Sequence, residues 1–269
     1  MLFHRQGPPP PSLRTAERVP VPAPPYLALA AIYDHLMWHV DYDGWARYLL
    51  AIADKFTVPT GWWCEGGCGT GSIAMRIAQH KHRICGFDLV PAMAGAATQK
   101  AQYAGLFIPY FTGDFRAMPV RAIAYFLAIY DSVNYLTEAT DLHQFLAETF
   151  RVLLAGGLCV FDLCTERNSI RNLDNWYDSR YRNGSRYRRH SWYDKPSRMH
   201  HNDFEVVFDD QPATVYLEHH RQYIYRVEEV VAMVQRAGFR ISGVFADLTF
   251  SAGSEKNDRV HLVLRKPQE

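Results

Sequence analysis

Two rhythms of apolar positions run along the chain. An apolar approach at Trp62, Trp63 and Cys64 reads as a short buried strand, closed by the acid Glu65. From Ser72 onward Ile73, Ala74, Ile77 and Ala78 recur at helical spacing, so a helix begins there. The same alternation repeats downstream. Residues 83–88 read as a strand ending on Asp88, residues 92–104 as a helix, and residues 107–115 as a strand that ends on Asp114 and Phe115. Residues 122–130 form a continuous apolar run suited to a strand buried on both faces. An amphipathic stretch over 141–153, a strand over 158–163, a helix over 227–237 and two long strands over 239–250 and 259–266 complete the pattern. Strands separated by helices predict an α/β fold with a doubly wound, mostly parallel sheet of seven strands, ending in an antiparallel hairpin.

Two regions break this rhythm. Residues 166–222 are rich in Arg, Tyr, His and Asn and alternate with period two, as in Tyr187, His190 and Trp192 or Phe204, Val206 and Phe208. They predict a small antiparallel sheet inserted in the core. Before the first core strand, Tyr26, Leu29, Ile32, Tyr33, Leu36 and Met37 share one helical face, and a second helix is expected over 45–55. Residues 1–25 hold the run Pro8–Pro11 and then Pro20, Pro22, Pro24 and Pro25, and are expected to be a disordered leader dispensable for folding. The domain proper is then 26–269, with 26–56 as a helical cover and 166–222 as a substrate cap.

Composition narrows the function. The chain has 269 residues, 48% hydrophobic, and a formal net charge of +1, so overall charge makes no case for nucleic acid or an anionic membrane. No apolar run reaches the length of a membrane span, and the first residues lack an apolar signal-peptide core, so a cytoplasmic protein is expected. Cys64, Cys68, Cys85, Cys159 and Cys164 lie in or beside strands and read as small core residues in a reducing compartment. No second Cys/His pair accompanies Cys64 and Cys68, so no metal site is expected. Oligomeric state is left open.

The chemistry gathers at Gly61–Gly71. A strand, a turn with Gly67, Gly69 and Gly71, and a helix start make a small-molecule site, because Gly lets a ligand approach the backbone and helix-start N–H groups are free to donate. Gly69, Gly71 and Ala74 match the dinucleotide fingerprint by letter. Glu65, however, points a carboxylate into the turn, which repels a pyrophosphate and suits a cation. Asp88 ends the next strand, where a carboxylate can accept from two ribose hydroxyls. A nucleoside with a cationic amino-acid tail satisfies both. Here Glu65-Gly-Gly67-Cys-Gly69-Thr-Gly71 resembles the acid-x-Gly-x-Gly-x-Gly motif of the class I S-adenosylmethionine-dependent methyltransferases, with a Rossmann-like sheet. The likeness spans residues 26–266 and is densest over 62–163; Tyr33-Asp34 and Val40-Asp41-Tyr42 resemble the N-terminal helices of its small-molecule members. Ile123-Ala124 stands where that family usually has Phe-Asp, and Leu154-Ala155-Gly156-Gly157 where it has Lys-Pro-Gly-Gly.

The resemblance implies S-adenosyl-L-methionine as cofactor and methyl transfer to oxygen or nitrogen of a small-molecule acceptor. Glu65 and the backbone of Gly67, Cys68, Gly69 and Gly71 would hold its amino-acid tail, Asp88 its ribose, Leu89, Met93 and Phe115 its adenine, and Asp114 the adenine amino group. The acceptor end falls at the tip after residue 130, where ligands lie in such sheets. Tyr130 is placed with the cofactor there. Asp131 or Tyr135 would orient or deprotonate the acceptor, or else cap a turn and pack; Asn134, Tyr33 and His219 would bind it. His200, His201, His219 and His220 are candidate bases, since His titrates near working pH. Arg180, Arg182, Arg186, Arg188 and Arg189, interleaved with aromatics, suit an anionic substrate, an RNA or a solvated face. The alternative reading is a non-catalytic module of this fold that binds a protein or RNA partner through that insertion.

Overall fold

A computed structural model describes residues 9–182 and 184–268. In chain order the strands are β1 Val19–Ala23, β2 Trp62–Gly66, β3 Ile84–Asp88, β4 Tyr110–Thr112, β5 Ile123–Ala128, β6 Leu153–Cys164, β7 Trp176–Arg182, β8 Ser185–Asp194, β9 Met199–Phe208, β10 Thr214–Tyr223, β11 Arg240–Ala246 and β12 Arg259–Arg265. The helices are α1 Tyr33–Leu36, α2 Tyr42–Lys55, α3 Ser72–Gln79, α4 Pro91–Tyr103, α5 Ala139–Val152, α6 Glu166–Asn168 and α7 Val227–Arg236.

Seven strands form the core sheet in the order β11-β12-β6-β5-β2-β3-β4. β4, β3, β2, β5 and β6 run parallel, and β12 is antiparallel to both β6 and β11. β5 sits in the middle with all six residues buried, as its unbroken apolar run requires. One face packs α5 and α7 through Phe145, Leu146, Val230 and Val234; the other packs α2 and α3 through Leu49, Ile52, Ile73 and Ile77. Each such side chain stabilises the fold by roughly 1.5–3 kcal/mol on burial.

The cap sheet has the order β1-β10-β9-β8-β7. β7 to β10 are antiparallel, and β1 joins the edge parallel to β10, with Val19 opposite Thr214. Its inner face carries Tyr187, Phe204 and Val206 against Leu29, Ile32 and Leu36 of the N-terminal cover.

This corrects the expected leader. Residues 1–8 lie outside the described residues, but residues 12–23 are built into the cap. The Glu205 carboxylate accepts from Ser12 Oγ at 2.9 Å and from the Leu13 N–H at 2.6 Å, and Leu13 packs with Val207 and Val215. Pro20 and Pro22 are tolerated because β1 is an edge strand, where a missing N–H can face away from the ladder.

The cover also differs from a single helix. Leu29–Ile32 is a 3₁₀ turn and α1 is a single turn of helix. The cause is Glu218, whose carboxylate takes the N–H groups of Tyr26, Ala28 and Leu29 at 2.7, 2.6 and 3.0 Å. A carboxylate of the cap sheet thus holds this segment from outside. Among the described residues no helix is long and apolar enough to cross a membrane, and no His, Cys, Asp and Glu group has metal-binding geometry. All five cysteines are free and buried.

Candidate active site

β2 delivers Glu65 to the carboxyl edge of the sheet, and the chain then turns through Gly67, Gly69 and Gly71 at φ +63°, +52° and +75°. Those left-handed values favour glycine. At Gly71 a Cβ would also stand 2.4 Å from the Tyr110 hydroxyl. Above the turn opens a cavity of about 550 Å³. Glu65, Gly67, Cys68, Gly69, Asp88, Leu89, Met93, Asp114, Phe115 and Tyr130 line it, with Tyr33 and Tyr135 at the acceptor end. Gly71 does not line it; it shapes the turn from behind.

The electrostatics of the floor are unbalanced. Glu65 is 3% exposed and, among the described residues, accepts one hydrogen bond, from the Ala74 N–H at 3.0 Å. Burial pushes its carboxyl up to about 8. Asp88 accepts from the Gly69 N–H and the Val90 N–H, both at 2.9 Å, and burial raises its carboxyl as well. Asp114 is occupied by the Arg116 guanidinium at 2.7 Å, which holds it below the usual carboxylate range. Lys100 closes a clasp over the glycine turn: its ammonium reaches Asp34 of α1 at 2.8 Å and Ser72 at 2.7 Å, and Thr70 Oγ1 donates to Asp34 at 2.5 Å. The cover is thereby tied to the turn. Asp34 had no assigned role in the sequence, and Lys100 no signal at all.

Three expected acceptor-site residues are elsewhere. Asp131 does not line the cavity. Its carboxylate pairs with Arg259 at 2.6 Å and accepts from Gln222 at 2.9 Å, while its N–H donates to Asp162 at 3.0 Å. Burial raises this carboxyl, but Arg259 and Gln222 together outweigh that and hold it low. A carboxylate so paired is a poor base. Its job is local: Tyr130 and Asp131 both adopt left-handed backbone, at φ +61° and +55°, and the pair fixes that turn so that Tyr130 faces the cavity. Asn134 is fully buried and stitches sheet ends, donating to the Tyr223 carbonyl at 2.8 Å and accepting from the Cys164 N–H at 3.0 Å. His219 stands on the outer face of β10 against Asp203 at 2.6 Å. Neighbours on a strand point to opposite faces, so it is His220 that turns inward.

Of the four candidate histidines it is His220, not His219, that the structure brings to the cavity wall. It is 1% exposed; Nδ1 lies 3.0 Å from the Tyr135 hydroxyl and Nε2 lies 2.9 Å from Glu218. Burial lowers its proton affinity. Tyr26 and Tyr135, both at the cavity wall, are joined hydroxyl to hydroxyl at 2.6 Å. The insertion's arginines are engaged internally: Arg188 with Glu205 at 3.3 Å, Arg189 on the Asn202 amide oxygen, Arg180 over Trp38 and Arg186 over Tyr181. The side chain of Arg182 lies outside the described set.

Residues 64–157 match the family model described as a methyltransferase domain. In this domain, in its relatives and in its fold the chain is similar to the class I S-adenosylmethionine-dependent methyltransferases. This methyltransferase is 28% identical over 256 residues to the putative methyltransferase YqeM of Bacillus subtilis, covering 90% of the chain and 97% of that protein. Its fold matches a solved S-adenosylmethionine-dependent methyltransferase of Clostridium acetobutylicum at TM-score 0.77, with 18% identity over 90% of this chain and 99% of that one. It also matches the sugar N-methyltransferase KedS8 of Streptoalloteichus at TM-score 0.69, with 18% identity over 87% and 92%. The methyltransferase is an enzyme with S-adenosylmethionine as cofactor, and the floor of its cavity fits that group: a buried, under-partnered carboxylate at Glu65 is complementary to an ammonium.

Proposed function

We propose that the enzyme methylates an oxygen or nitrogen of a small polar acceptor. Glu65 and the backbone from Gly67 to Gly69 hold the cofactor's amino-acid tail, with Gly71 shaping the turn. Asp88 takes the ribose hydroxyls, and Leu89, Met93 and Phe115 flank the adenine, whose amino group Asp114 receives. Bound there, the cofactor supplies an electrophilic methyl. The chain's own part is to align the acceptor and exclude water.

The observation that carries the reading is the acceptor end of the cavity, where Tyr26, Tyr33, Tyr42, Tyr130 and Tyr135 make a wall of apolar rings with polar tips. Such a wall suits a small polar molecule. The solved neighbours support it, since two are titled as sugar or amino pentose methyltransferases. The internal engagement of the described arginines weighs against the partner-binding alternative. Five free thiols fit a reducing, cytoplasmic setting.

The test is methyl transfer from labelled cofactor to a panel of amino- and hydroxy-bearing metabolites, with products located by mass. Transfer to a small molecule, with RNA and protein unlabelled, is expected. Label in macromolecules alone would overturn it.

A further inference from the structure

A displacement at a methyl group needs an acceptor with a free electron pair, and an alcohol or ammonium must first lose a proton. The cavity wall contains one hydroxyl backed by a buried base. Tyr135 Oη lies 3.0 Å from His220 Nδ1, and His220 Nε2 lies 2.9 Å from Glu218. The hydrogen positions follow by elimination. Glu218 already takes three backbone N–H groups and donates nothing, so His220 Nε2 carries its proton toward Glu218. Nδ1 is then a bare acceptor, and Tyr135 must donate to it. Tyr26, 2.6 Å away, must in turn donate to Tyr135. One lone pair on Tyr135 Oη is left without a donor among these partners, on a residue that lines the cavity.

The geometry points to Tyr135 as the group that takes the acceptor's proton, with His220 and Glu218 as positioning residues that receive and balance it. This rests on the function proposed above and narrows its acceptor to a proton-bearing hydroxyl or amine. In the step, the acceptor X–H bond breaks and an O–H bond forms on Tyr135. The original Tyr135 O–H bond breaks and an N–H bond forms at His220 Nδ1. The X–H electron pair stays on X for the new bond to carbon. The imidazolium lies against Glu218 and later returns its proton to water.

The surroundings set the resting state. Burial and the Arg189 guanidinium on β8 oppose a charge on His220, as does His219 beside it, while Glu218 favours it; the balance keeps the ring neutral near pH 7. Burial raises the phenol's proton affinity most; the Tyr26 hydrogen bond and Arg189 lower it, and Asp131, at the tip preceding Tyr135, and Glu218 raise it. The ring is therefore ready to accept.

The test uses the full chain in two arms. In the first, imidazole carbon resonances are followed against pH without any acceptor. His220 should titrate below the usual histidine value, and Tyr135→Phe should move that titration by half a pH unit or more. In the second, steady-state rates are measured with an acceptor from the panel. Tyr135→Phe and His220→Gln should lower kcat about 100-fold with KM and cofactor affinity within threefold, and His220→Gln should also erase the acid limb of the pH profile. Full kcat in Tyr135→Phe with the limb intact, or a His220 titration indifferent to that change, would overturn the relay. A wild-type enzyme that labels no small molecule would instead sink the function reading, leaving the resonance arm to judge the relay. The conservative Glu218→Gln is secondary, because that side chain also anchors residues 26–29.

Discussion

The core sheet and the cap sheet bury their faces in different ways. In the core, β5 and β6 bury almost nothing but apolar side chains, and polarity is confined to the carboxyl edge. The cap buries Ser191, His200, Asn202, Glu205, Glu218 and His220, five of them on the strand face turned toward the active site. The first arrangement is held by area; the second is held by pairing, and each pair removed leaves a desolvated partner behind. The core therefore supplies a platform that tolerates substitution of similar volume, whereas the cap specifies one arrangement of donors and acceptors around a ligand.

The comparison is sharpest at Glu65, where a core-sheet residue behaves like a cap residue. Glu65→Gln should weaken S-adenosylmethionine binding at least 100-fold, about 3 kcal/mol for a lost charged pair in a buried site, as read by titration calorimetry. The same change should stabilise the ligand-free protein in alkali. With its folded carboxyl raised to about 8, Glu65 holds its proton in the folded chain over the interval where the unfolded chain has lost it. Stability then falls as pH rises from about 4.5 to 8. The variant should melt above wild type at pH 8.5 and match it at pH 4, while wild-type cofactor affinity should fall as pH drops below 8. A pH-independent affinity would place Glu65 outside the ligand's reach.

Next comes Asp131→Asn. A catalytic carboxylate would cost turnover and spare the fold. The Arg259 pair and the strained turn predict the reverse, about 2–3 kcal/mol of stability lost, with cofactor affinity within a few-fold. Denaturant unfolding beside calorimetry separates the two.

The smallest effect tests the cap edge. Removing residues 1–25 takes away β1 and the Ser12 and Leu13 donors of Glu205. A loss of about 2 kcal/mol is expected, a fall in Tm of roughly 4–8 °C for a chain this long. An unchanged Tm would return these residues to the role of a leader.

What was legible in the sequence follows from distance along the chain. Glu65, the glycine turn and Asp88 lie within one βαβ unit, where spacing fixes relative position, and the seven core strands show in the apolar rhythm. The cap's chemistry is not local. Tyr26 meets Tyr135 across 109 residues and Glu218 across 192, and no periodicity encodes such meetings. Choosing between His219 and His220 turns on strand parity, a one-residue question that an alternating but polar strand leaves undecided. Asp131 was misread for a related reason: its partner Arg259 belongs to the last strand. The N-terminal prolines marked a segment poor in core residues, but its anchor, Glu205, stands on β9, 193 residues along the chain from Ser12.

The parallel edge strand also constrains how the chain can be made. Ser12 and its acceptor Glu205 are separated by 193 residues, so the segment around Ser12 has nowhere to dock until β9 has been made. At roughly 5–20 residues per second of synthesis, the first strand waits on the order of ten seconds or more beside the ribosome. The strands β2 to β6 will by then have emerged and can begin to assemble on local contacts, whereas β12 and β11, which complete the core sheet, follow the cap strands. Contacts of such long reach are slow to find, and a chain released before residue 223 would lack both a complete cap and the two strands that close the core sheet.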